Sequence, residues 1–273
     1  MSAEKQEDFA RTLEAGRHEH GAFSTLLDII LPRVCSVCDG PLDSREQIIC
    51  EGCRTGFETV PGPVCPICGS WREESRTNRR GQCPKCPRMD LYFSETRVPF
   101  YYRGVLGDAL KNFKYHRRLE MAESIGRAAF MALVQRERCE GMSEAEEADD
   151  PTGLRERIDV VAPVPLHYSR YLVRGYNQSE LLARQFARLA GLQLDAAILK
   201  RIRRTPRQAL LPAEKRYDNV RGAFQVTSPH LVRDKSVTVF DDIFTSGHTV
   251  NQCARVLVEA GAKKVFVLAV ARA

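Results

Sequence analysis

Residues 237–249 read VTVFDDIFTSGHT, and this stretch decides the fold of the second half of the chain. Its β-branched and aromatic start predicts a buried strand that ends at Asp241 and Asp242. The pattern NQCARVLVEAGA that follows has apolar residues at helical spacing. Thr249, with Gln252 three residues later, resembles a capping box and predicts that the helix begins there. The segment is therefore predicted to be a strand, an acidic tip, a loop and a helix.

The loop between this strand and this helix is predicted to bind phosphate. Apart from one histidine its central residues are small or hydroxylated: Thr245, Ser246, Gly247, His248 and Thr249. Backbone N–H groups of such a loop and the positive end of a helix dipole favour a phosphate. Neighbouring carboxylates only accept hydrogen bonds, so Asp241 and Asp242 suit the two adjacent hydroxyls of a ribose. Together the two halves fit a ribose 5-phosphate.

Two other interpretations of this stretch remain open. The first is a strand and a loop with two solvated acids and no ligand, because short motifs also occur by chance. The second is a dinucleotide or nucleoside triphosphate site. That site is the weaker of the two ligand interpretations, because the chain has no GxGxxG after a strand and no GxxxxGK[ST].

The stretch is similar to the thirteen-residue signature of the type I phosphoribosyltransferases, which consists of a hydrophobic run, two acids and a Thr/Ser-Gly-x-Thr loop. The resemblance implies that the segment binds phosphoribosyl pyrophosphate, PRPP. Two residues depart from the signature. Thr238 lies inside the hydrophobic run, and His248 fills a position that is usually small.

Length and composition bound the class of protein. A chain of 273 residues with 43% hydrophobic content can bury a core in one or two domains. The apolar run FSTLLDIIL near the N-terminus is interrupted by Asp28 and is too short to span a bilayer, and the residues before it do not resemble a secretory signal. The sequence therefore predicts a soluble, cytoplasmic protein with no membrane insertion.

Eight of the ten cysteines form four CxxC pairs, which are Cys35/Cys38, Cys50/Cys53, Cys65/Cys68 and Cys83/Cys86. A CxxC turn points two sulfurs at one place, so two turns complete a tetrahedral zinc site. Two structural Zn²⁺ sites are predicted, the simplest assignment joining consecutive pairs, while a cross-braced pairing stays open. A disulfide framework or a redox CxxC is disfavoured, because the compartment is predicted to be reducing and four motifs occur in series.

These thiolates also affect the net charge. The formal value is +6, and a four-thiolate zinc site carries roughly −2, so two sites leave about +2. The remaining basicity is concentrated in two segments, KNFKYHRR and KRIRRTPRQALLPAEKR. For the first, with Lys111 and Lys114, an exposed helix face is as good an explanation as a binding role. The second is predicted to be a mobile loop that attracts either a pyrophosphate or a nucleic-acid backbone.

The chain is predicted to have three parts. Residues 1–32 form a tail that ends in a short amphipathic helix, residues 33–90 form a double zinc ribbon, and residues 91–273 form an α/β domain. Within this domain, residues 139–157 are an acidic connector. The segment YFSETRVPFYY predicts a strand or hairpin, and two helices are predicted to break around residues 116–118.

The rest of the α/β domain alternates strands and helices. A strand at residues 158–161 runs into the turn PVPL, and a helix is predicted to begin at an Asn177 cap with Glu180 three residues on. The chain ends in the strand KVFVLAVAR. Alternation of this kind predicts a mostly parallel twisted sheet flanked by helices, with ligands at the carboxyl edge of the strands.

Taken together, the motifs resemble those of the ComF family of phosphoribosyltransferase-like proteins. The resemblance rests on the double zinc ribbon and on LKNFKYHRR, VVAPVPLHYSRYLVRGYNQSELLAR, RTPRQALLPAEKRYDNVRGAF and VFDDIFTSGHT. It covers nearly everything from residue 31 to residue 272, and the acidic connector looks like an insertion. It implies a type I phosphoribosyltransferase-like fold behind the zinc ribbon.

The resemblance also implies roles for particular residues. Asp241 and Asp242 would be catalytic and hold the ribose hydroxyls, and residues 245–249 would hold the 5-phosphate. Pyrophosphate would lie against a loop that contains Pro163, Val164 and Pro165. A flexible loop over residues 204–216 would contribute Arg207, Lys215 and Arg216. Mg²⁺ would bridge pyrophosphate and ribose oxygens.

Two functional hypotheses follow from this resemblance. The first is a phosphoribosyltransferase that moves phosphoribose from PRPP to an unidentified acceptor. The second is a non-catalytic, PRPP-binding accessory protein of DNA uptake (competence) that handles single-stranded DNA or binds DNA-processing proteins. Both hypotheses predict binding of PRPP, and turnover separates them.

Overall fold

The computed structural model describes residues 33–42, 47–71, 82–84, 86, 89–116, 118–139, 153–206, 212 and 215–273, and only the backbone at residues 139 and 215–217. Three predicted features therefore lie outside the described residues: the N-terminal helix, most of the acidic connector and Arg207 of the basic loop. In the described part of the chain, no helix combines the length and the apolar character needed to cross a membrane.

A parallel sheet forms the centre of the molecule. Strand β6 (Ser236–Phe244) lies between β3 (Val160–Pro163) and β7 (Lys264–Arg272) and is parallel to both. The short strands β1 (Glu95–Arg97) and β2 (Phe100–Tyr101) both pair with the far side of β7, again in parallel. The sheet is rich in valine and phenylalanine on both faces, as expected for a parallel sheet that is covered on both sides.

One strand prediction is confirmed and another needs correction. Of the two alternatives for residues 95–101, the strand is confirmed and the hairpin is not, because β1 and β2 pair with β7 rather than with each other. The strand predicted at residues 158–161 begins later, at Val160. The N–H groups of Arg157 and Ile158 both donate to the carbonyl of Leu154, at 3.1 and 2.9 Å, so these residues close a turn before the strand can start.

The longer helices have the bounds α2 Gly104–Tyr115, α3 Met121–Cys139, α5 Gln178–Ala190 and α7 His248–Glu259. Shorter helices are α1 Glu51–Thr55, α4 Tyr168–Arg174 and α6 Lys215–Val220, with a 3₁₀ turn at Pro229–Leu231. Strands β4 (Leu199–Arg201) and β5 (Phe224–Val226) form a separate antiparallel pair. The predicted break between two helices around residues 116–118 is confirmed.

Alternation along the central strands divides the core into two layers. On one face, Phe240 packs with α2, α3 and α5, and the Phe186 ring lies 5.7 Å from both the Phe130 and the Phe240 ring. On the other face, Val237 and Val239 pack with α7 and with the β4–β5 pair. The predicted fold class, a mostly parallel sheet flanked by helices, is confirmed.

The cysteine-rich region is built into this fold. Sulfurs of its first half share a core with α2, and those of its second half share a core with the sheet. The Thr96 N–H and hydroxyl donate to the carbonyls of Pro66 and Ile67, both at 2.7 Å. The Asn112 amide donates to the Ser36 carbonyl at 2.9 Å. These contacts cross the domain boundary that is predicted near residue 90. The boundary itself stays a prediction.

Arg136 of α3 is the buried side chain that joins these parts most directly. Its guanidinium donates to the carbonyls of Val60 at 2.6 Å, Val98 at 3.1 Å and Pro99 at 3.4 Å. We expect Arg136→Met to lower the free energy of unfolding by about 2–4 kcal/mol, because it leaves buried carbonyls without donors. Arg138→Met, on an exposed position of the same helix, should change it by less than about 0.5 kcal/mol. Urea unfolding of both variants tests this, and equal losses would contradict it.

Candidate functional site

The four CxxC pairs come together as two clusters. The first contains Cys35, Cys38, Cys50 and Cys53, and the second contains Cys65, Cys68, Cys83 and Cys86, with all ligand atoms of a cluster within 4.8 Å of one another. Sulfur–sulfur distances are 3.8 Å for Cys38–Cys50 and 3.6 Å for Cys65–Cys86. A tetrahedron with metal–sulfur bonds of about 2.3 Å has edges of about 3.8 Å, whereas a disulfide needs about 2.05 Å. Consecutive pairs therefore form two sites that fit structural zinc, as predicted.

One cysteine in each cluster has a lowered thiol pKa, which favours its thiolate form. Burial raises the pKa of the Cys35 thiol, but N–H groups from Cys50, Cys38 and Val37 outweigh burial and lower this pKa to about 7. The pKa of Cys65 is lowered to about 7 in the same way. Because the thiolate is the form that binds zinc, the backbone itself favours metal binding.

The two carboxylates lie inside a strand rather than at its tip. The sequence predicts that the strand ends at Asp241 and Asp242, but β6 continues to Phe244 because Asp241 pairs with Ala269 of β7 and Ile243 with Ala271. This pairing fixes the backbone of both acids in the sheet. The loop that follows is correspondingly shorter than predicted.

Asp241 accepts a hydrogen bond from the start of α5. The Ser179 hydroxyl donates to Asp241 Oδ1 at 2.8 Å, and the Asp242 N–H donates to the same oxygen at 2.9 Å. Burial and then the charge of Asp242 raise the pKa of Asp241 to about 7, although Ser179 and Lys114 oppose this rise. The Asp241 carboxyl therefore changes charge near neutral pH.

Asp242 forms an ion pair with Lys114 of α2. The Asp242 and Lys114 side chains are only 12% and 18% exposed. Burial alone lowers the pKa of Lys114, but the charges of Asp242 and Asp241 outweigh it and raise this pKa. The sequence placed Lys114 in a basic cluster without finding this role. Lys111, one turn earlier, is exposed and pairs with Asp108, as a solvated helix face predicts.

The phosphate loop ends at a glycine rather than at the predicted threonine. Helix α7 begins at His248, and its N-cap is Gly247 with φ of 75°. The Thr249–Gln252 capping box is therefore wrong, because the chain turns into the helix one residue before Thr249 could act as the cap. Because the first turn of a helix presents N–H groups that can bind an anion, the start of α7 still suits the phosphate that the sequence predicts here.

The segment after the second cysteine cluster closes against α7. Asn251 Oδ1 accepts from the Tyr92 N–H at 2.8 Å, and Asn251 Nδ2 donates to the Asp90 carbonyl at 2.7 Å. His248 Nδ1 lies 3.0 Å from the sulfur of Met89. These contacts tie the first turn of α7 to the cysteine-rich region, a connection that the sequence did not reveal.

The proline-containing turn after β3 lies at the same edge of the sheet. Pro163 pairs with Phe240, and the Val164 N–H donates to the Phe240 carbonyl at 2.8 Å. Asn177 is the N-cap residue of α5 as predicted, yet its side chain does not cap the helix. Its amide instead donates to the Val164 carbonyl at 3.0 Å, which anchors this turn beside the acids.

The predicted flexible loop is placed only in part. Arg207 lies outside the described residues, and for Lys215 and Arg216 the backbone alone is described, at the start of α6. Arg203, just before the loop, donates to the carbonyls of Asn219 at 3.0 Å and Arg221 at 2.7 Å. A contribution of Arg207, Lys215 and Arg216 to the site stays a prediction.

Burial of the acid pair has a consequence for stability. The folded state raises the pKa of Asp241 to about 7, so it favours the protonated acid, and this group lowers stability as the pH rises from about 4 to about 7. We expect Asp241→Asn to stabilise the protein by about 1–2 kcal/mol at pH 8 and hardly at all at pH 4, where the native carboxyl is already neutral. Melting temperatures at both pH values test this. A larger gain at pH 4 would contradict it.

Comparisons with known proteins agree with the motifs. Residues 26–88 match the family model described as a double zinc ribbon domain. The chain is 27% identical over 244 residues to the DNA utilization protein YhgH of Escherichia coli (strain K12), covering 89% of this chain and 99% of that protein. It is 25% identical over 240 residues to Competence protein F of Haemophilus influenzae, covering 88% and 96%. For Competence protein ComFC of Bacillus subtilis the identity is 21% over 245 residues, covering 84% and 90%.

Two solved structures also match parts of the chain. One is described as the allosteric regulatory enzyme of purine biosynthesis, with 23% identity, a TM-score of 0.33, and coverage of 54% of this chain and 25% of that one. The other is a purine phosphoribosyltransferase from Pyrococcus horikoshii, with 17% identity, a TM-score of 0.28, and coverage of 55% and 83%. Relatives match nearly the whole chain and two four-cysteine clusters are in place, so the chain is similar to the ComF-type competence proteins and carries an N-terminal double zinc ribbon.

Proposed function

We propose that the chain binds PRPP at the carboxyl edge of its sheet and transfers the phosphoribosyl group to an acceptor. The observation that supports this most is the shared position of three features. Asp241 and Asp242, the start of α7 and the turn after β3 all lie at this edge. Ligands of open α/β sheets bind at this edge. PRPP has a ribose diol with phosphate groups on both sides, and these parts match the acid pair, the start of α7 and the turn after β3.

Each part of the site has a role in this proposal. Asp241 and Asp242 accept hydrogen bonds from the ribose hydroxyls, and residues 245–249 receive the 5-phosphate. Pro163, Val164 and Pro165 lie against the pyrophosphate, and Arg207, Lys215 and Arg216 of the basic loop attract it. Ser179 and Lys114 each keep one lone pair of the two carboxylates engaged, which leaves further acceptor positions for the ligand.

Magnesium enters this proposal as part of the substrate complex. Among the described residues, only the two cysteine clusters bring three or more metal-ligating side chains together. The described part of the chain thus offers Mg²⁺ no cage of its own, and in this proposal the metal would come with the pyrophosphate. When bound, Mg²⁺ would offset the charge that develops on pyrophosphate.

The reaction needs positioning more than covalent help from the protein. The bond between C1′ and the pyrophosphate oxygen breaks, its electron pair leaves with pyrophosphate, and the acceptor forms a new bond to C1′ and loses a proton. Positive charge develops on C1′ in the transition state. The carboxylates held beside the ribose stabilise this charge, and fixed groups in a partly buried site do so more strongly than water does.

Calorimetry with Mg²⁺ and PRPP tests this site. Asp242→Asn keeps the size of the side chain but removes the charged acceptor, and we expect it to weaken PRPP binding about tenfold to a hundredfold. Asp108→Asn is the matched control, because Asp108 is an exposed acid on α2, and its binding should be unchanged. Equal affinities of the Asp242 variant and the native protein would contradict the proposal.

A second candidate function is the handling of single-stranded DNA, and one surface favours it. Helix α4 buries none of its residues. Tyr168 and Tyr171 are 69% and 46% exposed, and Tyr115 at the end of α2 is 54% exposed with the Arg174 guanidinium 5.8 Å from its ring centre. Exposed aromatic rings among arginines are typical of surfaces on which bases stack.

The described segments next to α4 are basic in sequence. Residues 109–116, 163–179 and 196–206 contain no aspartate or glutamate. The Arg170 guanidinium donates to the Thr205 carbonyl at 2.6 Å, so α4 lies beside the basic loop. Relatives named for competence and DNA utilization support the same partner. A nucleic acid bound here would lie close to the acid pair, since Lys114 and Tyr115 are neighbours.

Turnover and DNA binding separate the two functions. We expect Tyr168→Ala with Tyr171→Ala to weaken binding of a fluorescent oligothymidine by about tenfold or more while PRPP affinity stays the same. Tyr92→Ala, at an exposed tyrosine near the second cysteine cluster, is the control. If the native protein consumes no PRPP with any base, nucleotide or oligonucleotide, the accessory function replaces the transferase. Unchanged oligothymidine affinity in the double variant would rule out this surface.

A further inference from the structure

Lys114 is the feature of the site that phosphate and diol recognition do not explain. Carboxylates that accept hydrogen bonds from a ribose need no lysine, yet Lys114 reaches from α2 to Asp242 in a mostly buried position. Burying an ammonium group and a carboxylate costs hydration that their ion pair often offsets only in part, so packing alone does not explain this position of Lys114.

The position of Lys114 is fixed from several directions. Leu110 and Phe113 on the same helix are fully buried in the core. The residue before Lys114 is held by its backbone, because the Tyr176 hydroxyl donates to the Phe113 carbonyl. Asn112 is bonded to Ser36 in the first cysteine-rich half. The last turns of α2 are therefore anchored, which fixes the backbone from which Lys114 reaches Asp242.

The charged and titratable groups around the acid pair come from five elements. They are Lys114 from α2, Ser179 from α5, the two aspartates of β6, the buried Cys253 of α7 and, at longer range, Arg201 of β4. The Arg201 guanidinium is engaged with the Thr205 hydroxyl. Among these described groups, Lys114 supplies the positive charge in direct contact with a carboxylate.

We propose that Lys114 is a positioning residue that keeps Asp242 ionised and oriented, so that the acid pair can accept both hydroxyls of a ribose. This proposal rests on the proposed PRPP site. Without the ammonium group, two adjacent carboxylates in a partly buried place repel each other, and one of them takes up a proton. A ribose hydroxyl donates its hydrogen bond to a carboxylate oxygen. When that oxygen carries a proton it is a donor as well, so one ribose hydroxyl no longer finds an acceptor.

The pH dependence of binding follows from this argument. In the native protein, PRPP binding strengthens as the pH rises and Asp241 loses its proton, around pH 7. Removal of the lysine charge moves this transition to higher pH. A loss of structure alone would weaken binding at every pH and would leave the transition where it is.

Three substitutions separate charge, hydrogen bonding and packing. Lys114→Met removes the charge and keeps the length of the side chain, Lys114→Gln keeps a donor without charge, and Lys114→Arg keeps the charge. Lys111→Met is the matched control, because Lys111 is an exposed lysine one turn earlier on α2. Far-ultraviolet circular dichroism and the melting temperature show whether each variant is folded.

Calorimetric titration of PRPP with Mg²⁺ between pH 6 and 9 measures the effect. We expect Lys114→Met and Lys114→Gln to shift the transition upward by one pH unit or more, which is about a tenfold loss of affinity at pH 7 and a much smaller loss at pH 9. Lys114→Arg and Lys111→Met should keep the native transition. A loss that is the same at every pH, or native binding by Lys114→Gln, would overturn the proposal.

A second measurement needs no PRPP. Carbon-13 NMR of the aspartate carboxyls follows protonation of the acid pair directly, and Asp241→Asn and Asp242→Asn assign its signals. We expect the upper titration of the pair to rise by one pH unit or more in Lys114→Met. If native protein fails to bind PRPP while this titration shifts, the proposed function is wrong and the role of Lys114 stands. If PRPP binds and the titration does not shift, the role of Lys114 is wrong.

Discussion

The arrangement of the proposed site depends on two neighbouring carboxyl groups in a partly buried place at the carboxyl edge of β6. Two carboxylates on successive residues repel each other and lose hydration on folding, so both need partners. Ser179 supplies a hydroxyl from α5, and Lys114 supplies an ammonium group from α2. Both helices pack on the same face of the sheet. The core on this face therefore does more than stabilise the fold, since it brings the two partners to the acid pair.

The cysteine clusters support this arrangement from outside. The first cluster is tied to α2 by the hydrogen bond between Asn112 and Ser36, two residues before Lys114. The segment after the second cluster is tied to the first turn of α7 through Asn251, next to the phosphate loop. A zinc ion in each cluster would be held by four sulfurs with no open position, so its contribution would be rigidity. The two halves of the ribbon thus brace the two elements that border the proposed ligand.

The parts of this picture that local patterns encode could be predicted. The order of strand, loop and helix that begins at residue 237 and the presence of two four-cysteine sites follow from local patterns, and both are in place. Consecutive pairing of the CxxC motifs was the simplest of the assignments that the spacing allowed. The partners of Asp241 and Asp242 could not be predicted, because Lys114 is more than 120 residues away in the sequence and nothing in its helix distinguishes it from Lys111. The Thr249 cap failed for another reason. Gly247 adopts a left-handed conformation that ends the loop earlier, and this depends on the tertiary position of the loop.

The stability of the acid pair bears on whether the edge of β6 has a ligand at all. A strand and loop with two solvated acids would cost little, because exposed carboxylates keep their hydration. Here Asp242 is buried, and burial with the neighbouring charge raises the pKa of Asp241 to about 7. An asparagine at position 241 would still accept a hydrogen bond from the Ser179 hydroxyl without burying a second charge. Acids with perturbed pKa values concentrate where ligands bind. The two buried acids and the buried lysine that pairs with one of them are therefore better explained by ligand recognition than by packing.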